Sequence, residues 1–235
     1  MKFPNAAKGV RKIFSAEILK LIAIVCLIAG LICLILMLAS VGNGSDAGAG
    51  ASAIGVLIFV GGAFVLMAVA AIMKLVGIVQ SSRDESSFTA ALVCILIEVV
   101  ALIVSGFIAP PVINPSGSVD INALSAISNS VSLNHLIMSI ANLLITVFII
   151  TGVIKLADQL NDGSVSAKGA NLLKIIIVIN GLAIIASIVS LIFGANSATA
   201  VTCGILLLVA LILEIVQYFM YLSLLSNGKK MLVRN

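Results

Sequence analysis

Two carboxylates stand inside otherwise apolar stretches: Glu98 within residues 88–109 and Glu214 within residues 200–225. An acid at the centre of a membrane helix costs ~2.5–3.5 kcal/mol on insertion scales, so such a residue is a functional candidate by default. Counting helical rise from the flanking polar turns puts both at about 15 Å depth, the middle of a bilayer. Thr146 and Asn180 fall at the same expected depth in their own apolar stretches. Helical spacing extends the set: His135, Ser139, Asn142 and Thr146 form one stripe, and Glu214, Gln217, Tyr218 and Tyr221 form another. The small residues Ala91, Cys94, Ala101 and Ser105 share the face of Glu98, which favours close helix approach.

No Lys or Arg lies at that depth. Lys74 and Lys155 are nearer the cytoplasmic edge, from which a long side chain could reach part of the way. Glu98, Glu214, Asn180, Asn142, Thr146 and Gln217 therefore read as a polar midplane cluster for a small polar solute, a cation or a proton. The bland alternative is a neutral carboxyl, its pKa raised by desolvation, hydrogen-bonded to Asn180 or Tyr218 as structural glue.

Other chemistries find little support. The single His135 sits near an outer helix end, and there is no HExxH, CxxC, Walker, GxGxxG or GxSxG motif. Cys26 and Cys33 share a face with Met37 and could offer soft ligands to copper(I). Packing is the ordinary role of such residues, and Cys94 and Cys203 also lie in apolar stretches. No enzyme activity, metal or cofactor is expected.

These residues are carried on six apolar runs, near 18–40, 53–79, 88–109, 134–156, 170–193 and 200–225. Each is long enough to cross a hydrocarbon core as a helix. The composition agrees: 62% of residues are hydrophobic and 9% charged, against about 25% charged in an average soluble domain. The apolar run from Leu21 to Ala39 exceeds a cleavable leader's h-region of roughly 7–15 residues, so it reads as an anchor.

All 13 Lys and Arg fall on one side of the pattern, and the loops around 41–52, 110–133 and 194–199 contain none. Cytoplasmic loops carry the basic excess, so both termini are expected in the cytoplasm of a plasma-membrane protein. The net charge of +4 marks bilayer edges rather than a nucleic-acid footprint. Residues 1–17 read as a basic amphipathic helix on the membrane surface that turns into the first span. Residues 226–235 read as a basic tail and 42–52 as a flexible loop. After Pro110-Pro111, a short interfacial helix is expected from Ile121 to Val131, separate from the fourth span.

The first span opens Ala16-Glu-Ile-Leu-Lys20 and the fifth Ala170-Asn-Leu-Leu-Lys174. The second closes on Lys74-Leu75 and the fourth on Lys155-Leu156. Three helical hairpins repeated in parallel would produce this, as would a common need for anchors at every inward helix end. Mitochondrial carriers share a three-hairpin plan, but their Pro-x-acid-x-x-base signature is missing from the odd-numbered spans.

Gly9-Val-Arg-Lys-Ile-Phe-Ser-Ala-Glu-Ile-Leu-Lys20, Ser82-Arg-Asp-Glu-Ser-Ser-Phe88 and Tyr221-Leu-Ser-Leu-Leu-Ser-Asn-Gly-Lys-Lys-Met231 resemble small uncharacterised six-span integral membrane proteins of Gram-positive gut bacteria. The resemblance implies a bacterial plasma membrane and no particular activity. The expectation is an all-α six-helix bundle in the lipid bilayer, without nucleic-acid partners, that binds or passes a small solute or ion. Its rival is a non-transporting scaffold or envelope-sensing accessory protein.

Overall fold

The computed structural model describes the backbone of residues 2–42, 46–108, 121–193 and 197–234. It describes the side chains of 2–42, 48, 50–101, 103, 140–180, 205, 208–209 and 211–234. Among the described residues the chain is all helix: α1 Pro4–Gly42, α2 Asp46–Ser81, α3 Ser86–Ile108, α4 Ile121–Gln159, α5 Gly163–Phe193 and α6 Ser197–Arg234. Each expected span lies within one helix, apart from Ala109, which is outside the described residues.

Four helical stretches are long and apolar enough to cross a membrane: Pro4–Gly42, Gly50–Ser81, Ile140–Gln159 and Leu211–Arg234. Many of their large apolar side chains face outward, above all on the first two stretches; Leu57 is 76% and Phe64 67% exposed. Water-soluble monomers rarely present apolar surface on this scale, so these faces belong in lipid.

Several boundaries differ from the sequence expectation. α1 does not turn between an amphipathic segment and a span; it runs unbroken from Pro4, a residue suited to the first helical position. The apolar face of its start is covered by protein, with Val10 and Ile13 fully buried. α2 begins at Asp46 inside the expected loop, although Gly48 and Gly50 there oppose the helix propensity of the alternating alanines. α4 begins at Ile121, so the expected interfacial helix and the fourth span are one helix, with no Pro or Gly in 121–133 to break it. The expected tail is the helical end of α6, with Met231 and Leu232 buried.

The chain forms two compact units, one of Met1–Asp84 with Leu222–Asn235 and the other of Glu85–Tyr221. In the first, α1 and α2 make an antiparallel hairpin. Ala16, Ala23 and Gly30 recur every seven residues on α1, as do Ala63, Ala70 and Gly77 on α2, and all are buried. That repeat keeps small residues on the facing seam. The helices approach closely at Gly9, where an added Cβ would collide with Ser81 Oγ and the Gly77 carbonyl and lie 2.8 Å from Ser81 N. The end of α6 joins them there, with the Lys229 ammonium 4.7 Å over the ring of Phe14.

In the second unit, α3 and α4 pair antiparallel. Phe88 packs on Gly152, where a Cβ would lie 2.6 Å from Phe88 Cε2. α4 ends in a Schellman turn: Asn161, at φ 56°, takes the left-handed position, and Asp162 N–H donates to the Ala157 carbonyl at 2.9 Å. Asp162 then caps α5, accepting from Ser164 Oγ at 2.7 Å and Val165 N–H at 3.3 Å.

Candidate functional site

The α3/α4 register decides which polar residues meet. It is fixed at one end by Lys155 Nζ, 3.4 Å from Glu85 Oε1, and by the Phe88–Gly152 contact one turn on. Counting along both helices from there, Glu98 falls opposite Asn142, whose Nδ2 donates to Glu98 Oε1 at 3.2 Å. Glu98 is half-buried and Asn142 exposed. Thr146 lies one turn along α4 from the level of Glu98 rather than beside it, and its hydroxyl donates to the Asn142 carbonyl at 2.9 Å.

The other proposed members stand apart among the described contacts. Asn180 Nδ2 turns onto its own helix and donates to the Ile176 carbonyl at 2.8 Å. On α6, Glu214 is exposed and Gln217 half-buried, and no described hydrogen bond joins either to Glu98. The side chains of His135, Ser139 and Cys203 lie outside the described residues. Cys26, Cys33 and Cys94 are free thiols, and no group of three or more His, Cys, Asp or Glu able to hold a metal occurs among the described residues.

Lys74 and Lys155 are each paired with an acid near a helix end. Lys74 Nζ lies 2.8 Å from Glu17 Oε1, and Lys155 is held by Glu85. Sequence reasoning missed Glu17, Glu85 and Asp84 as partners because each reads as an ordinary charge near a helix end. The signal was the Lys-Leu pair closing both α2 and α4, each lysine opposite an acid one helix back.

Asp84 and Glu85, adjacent in one turn, have separate roles. Asp84 Oδ2 accepts from the Ala6 N–H at 2.7 Å and Oδ1 from Asn5 Nδ2 at 3.0 Å, satisfying the start of α1. Glu85 Oε1 accepts from the Ser87 N–H at 3.3 Å and the Ser87 hydroxyl at 3.2 Å. Burial pushes the Glu85 carboxyl up, but the Ser87 N–H, the Lys155 ammonium and the Ser87 hydroxyl outweigh it and hold the group below its ordinary value.

The Glu98–Asn142 pair is different in kind. Glu98 is met by an amide N–H and not by the ammonium of a lysine. Its second oxygen, Asn142 Oδ1 and the lone pairs of Thr146 Oγ1 are all acceptors. A ligand that brings donors or positive charge suits these acceptors, and the second Asn142 Nδ2 hydrogen is left for an acceptor on it. No protein-family model, curated protein or solved structure matches the chain.

Proposed function

We propose that this is a six-span bacterial plasma-membrane protein, with both termini cytoplasmic, that binds or passes a cation, a proton or a small polar solute at Glu98 and Asn142. The observation that carries the reading is the partner of Glu98. A mid-helix acid is met by an amide, while Lys74 and Lys155 are held by Glu17 and Glu85. The acceptor-rich surroundings favour a donor-bearing or cationic ligand over an anion. Glu214, Asn180 and Gln217 are further lining candidates on α5 and α6. The first two hairpins each carry an acid–lysine clasp at the same end, which supports a parallel hairpin repeat.

The test is flux in vesicles reconstituted with the full chain, under imposed proton, sodium and potassium gradients. Glu98→Gln keeps an acceptor for Asn142 but removes the charge, and should cut flux at least ten-fold. Asn142→Ala should reduce it less. Unchanged flux in both Glu98→Gln and Glu214→Gln removes the site.

The second reading is a non-transporting scaffold or envelope-sensing accessory protein, favoured by the same bond acting as glue between helices. It predicts no wild-type flux above protein-free vesicles, with Asn142→Ala lowering stability alone.

A further inference from the structure

Charge divides unevenly between the two units. Met1–Asp84 with Leu222–Asn235 contains ten Lys/Arg against three Asp/Glu, a net of +7, and Glu85–Tyr221 contains three against six, a net of −3; together they make the +4 of the chain. Within the first unit the acids at the basic end are engaged. Glu17 is 2% exposed and paired with Lys74, and Asp84 is bound to the start of α1. The third acid, Asp46, belongs to the opposite end of the hairpin, at the start of α2.

The bases are not engaged in the same way. Lys8, Arg11 and Lys12 occupy the side of α1 opposite the buried Val10 and Ile13, and form no ion pair among the described residues. Lys20 is exposed two residues before Ile22, the first large apolar side chain of α1 to face outward. Lys229 seats on Phe14, which brings the exposed Lys230 to the same end.

We infer that this end of the first unit is a docking surface for anionic phospholipid headgroups of the inner leaflet, with Arg11, Lys12, Lys20 and Lys230 as its principal contacts. The inference rests on the cytoplasmic orientation proposed above. Geometry favours lipid over a soluble polyanion. At about 1.5 Å rise per residue, Lys12 lies about 12 Å and Arg11 about 14 Å from Lys20 along α1. The headgroup layer extends about 5–7 Å beyond the hydrocarbon, and its field decays over about 8 Å at physiological salt. These bases therefore fall inside the leaflet's field, on a helix continuous with the lipid-facing belt. Clusters of four to eight bases just cytoplasmic of a span are the recognised electrostatic footprint of anionic lipid.

The experiment uses the full chain in zwitterionic phosphatidylcholine nanodiscs titrated with fluorescent phosphatidylglycerol, read by energy transfer to a probe on the protein. At low salt, phosphatidylglycerol should be enriched at least five-fold around the protein over labelled phosphatidylcholine, and enrichment should fall as salt rises. The triple variant Lys12→Gln, Lys20→Gln, Lys230→Gln should at least halve the preference. Lys168→Gln with Lys174→Gln, in the other unit, should leave it intact. Unfolding temperatures in pure phosphatidylcholine control for folding, because the substituted side chains are half-buried or exposed. Equal enrichment in the triple variant, or no enrichment in the wild type, overturns the inference. So does an RNA oligonucleotide that binds this end and is not displaced by phosphatidylglycerol. Loss of flux in the Glu98 variants moves none of these readouts, so the two proposals fail separately.

Discussion

Lys74 and Lys155 make chemically identical pairs whose worth differs with burial. Glu17 is 3% and Lys74 22% exposed at the side chain, whereas Glu85 is 8% and Lys155 49% exposed. Removing one partner of a buried pair leaves an uncompensated charge and costs about 3–5 kcal/mol; exposed pairs are worth about 0–1 kcal/mol. Lys74→Ala should therefore destabilise by ~3 kcal/mol and Lys155→Ala by ~1 kcal/mol in detergent unfolding. Equal losses would contradict the burial argument. Glu85 also predicts a pH dependence. Its folded pKa is depressed, so its contribution is complete above the ordinary value of 4.5 and disappears as pH falls through the lower folded value. Glu85→Gln should flatten that part of the stability–pH curve. At this scale the sequence made Glu98 and Asn142 visible as polar groups out of place. It could not show that they meet, because register depends on Phe88 fitting Gly152 and on the end clasp.

At the scale of elements, the seams make sharper predictions than the helices themselves. A Cβ at Gly152 would lie 2.6 Å from the Phe88 ring, so Gly152→Ala should cost ~1–3 kcal/mol by overpacking. Phe88→Leu in the same chain should restore part of the loss, which a thermal-unfolding double-mutant cycle measures. At Gly61 a Cβ meets nothing within 4 Å. Gly61→Ala should be neutral or stabilise by up to about 1 kcal/mol through helix propensity. The six apolar runs were readable because lipid permits little but helices over such lengths. Their starts were not. The beginning of α1 reads as a surface helix because it is amphipathic, and amphipathicity does not say whether membrane or the ends of α2 and α6 cover the apolar face.

For the whole molecule, the one-sided Lys/Arg pattern predicts that the termini and the turns at Arg83 and Ser164 share the cytoplasmic side. Lys2→Cys, Arg83→Cys and Ser164→Cys, each in a cysteine-free background, should resist impermeant thiol reagents in right-side-out vesicles and react after permeabilisation. Reaction of any one before permeabilisation would break the six-span topology. The central claim, that Glu98 and Asn142 form a wetted site and not a dry helix contact, is tested most directly at position 142. Asn142→Cys in that background should react with an impermeant methanethiosulfonate well faster than Val100→Cys on the outward apolar face of α3, where Val100 is 58% exposed. Rates for Asn142→Cys no higher than for Val100→Cys would contradict the account.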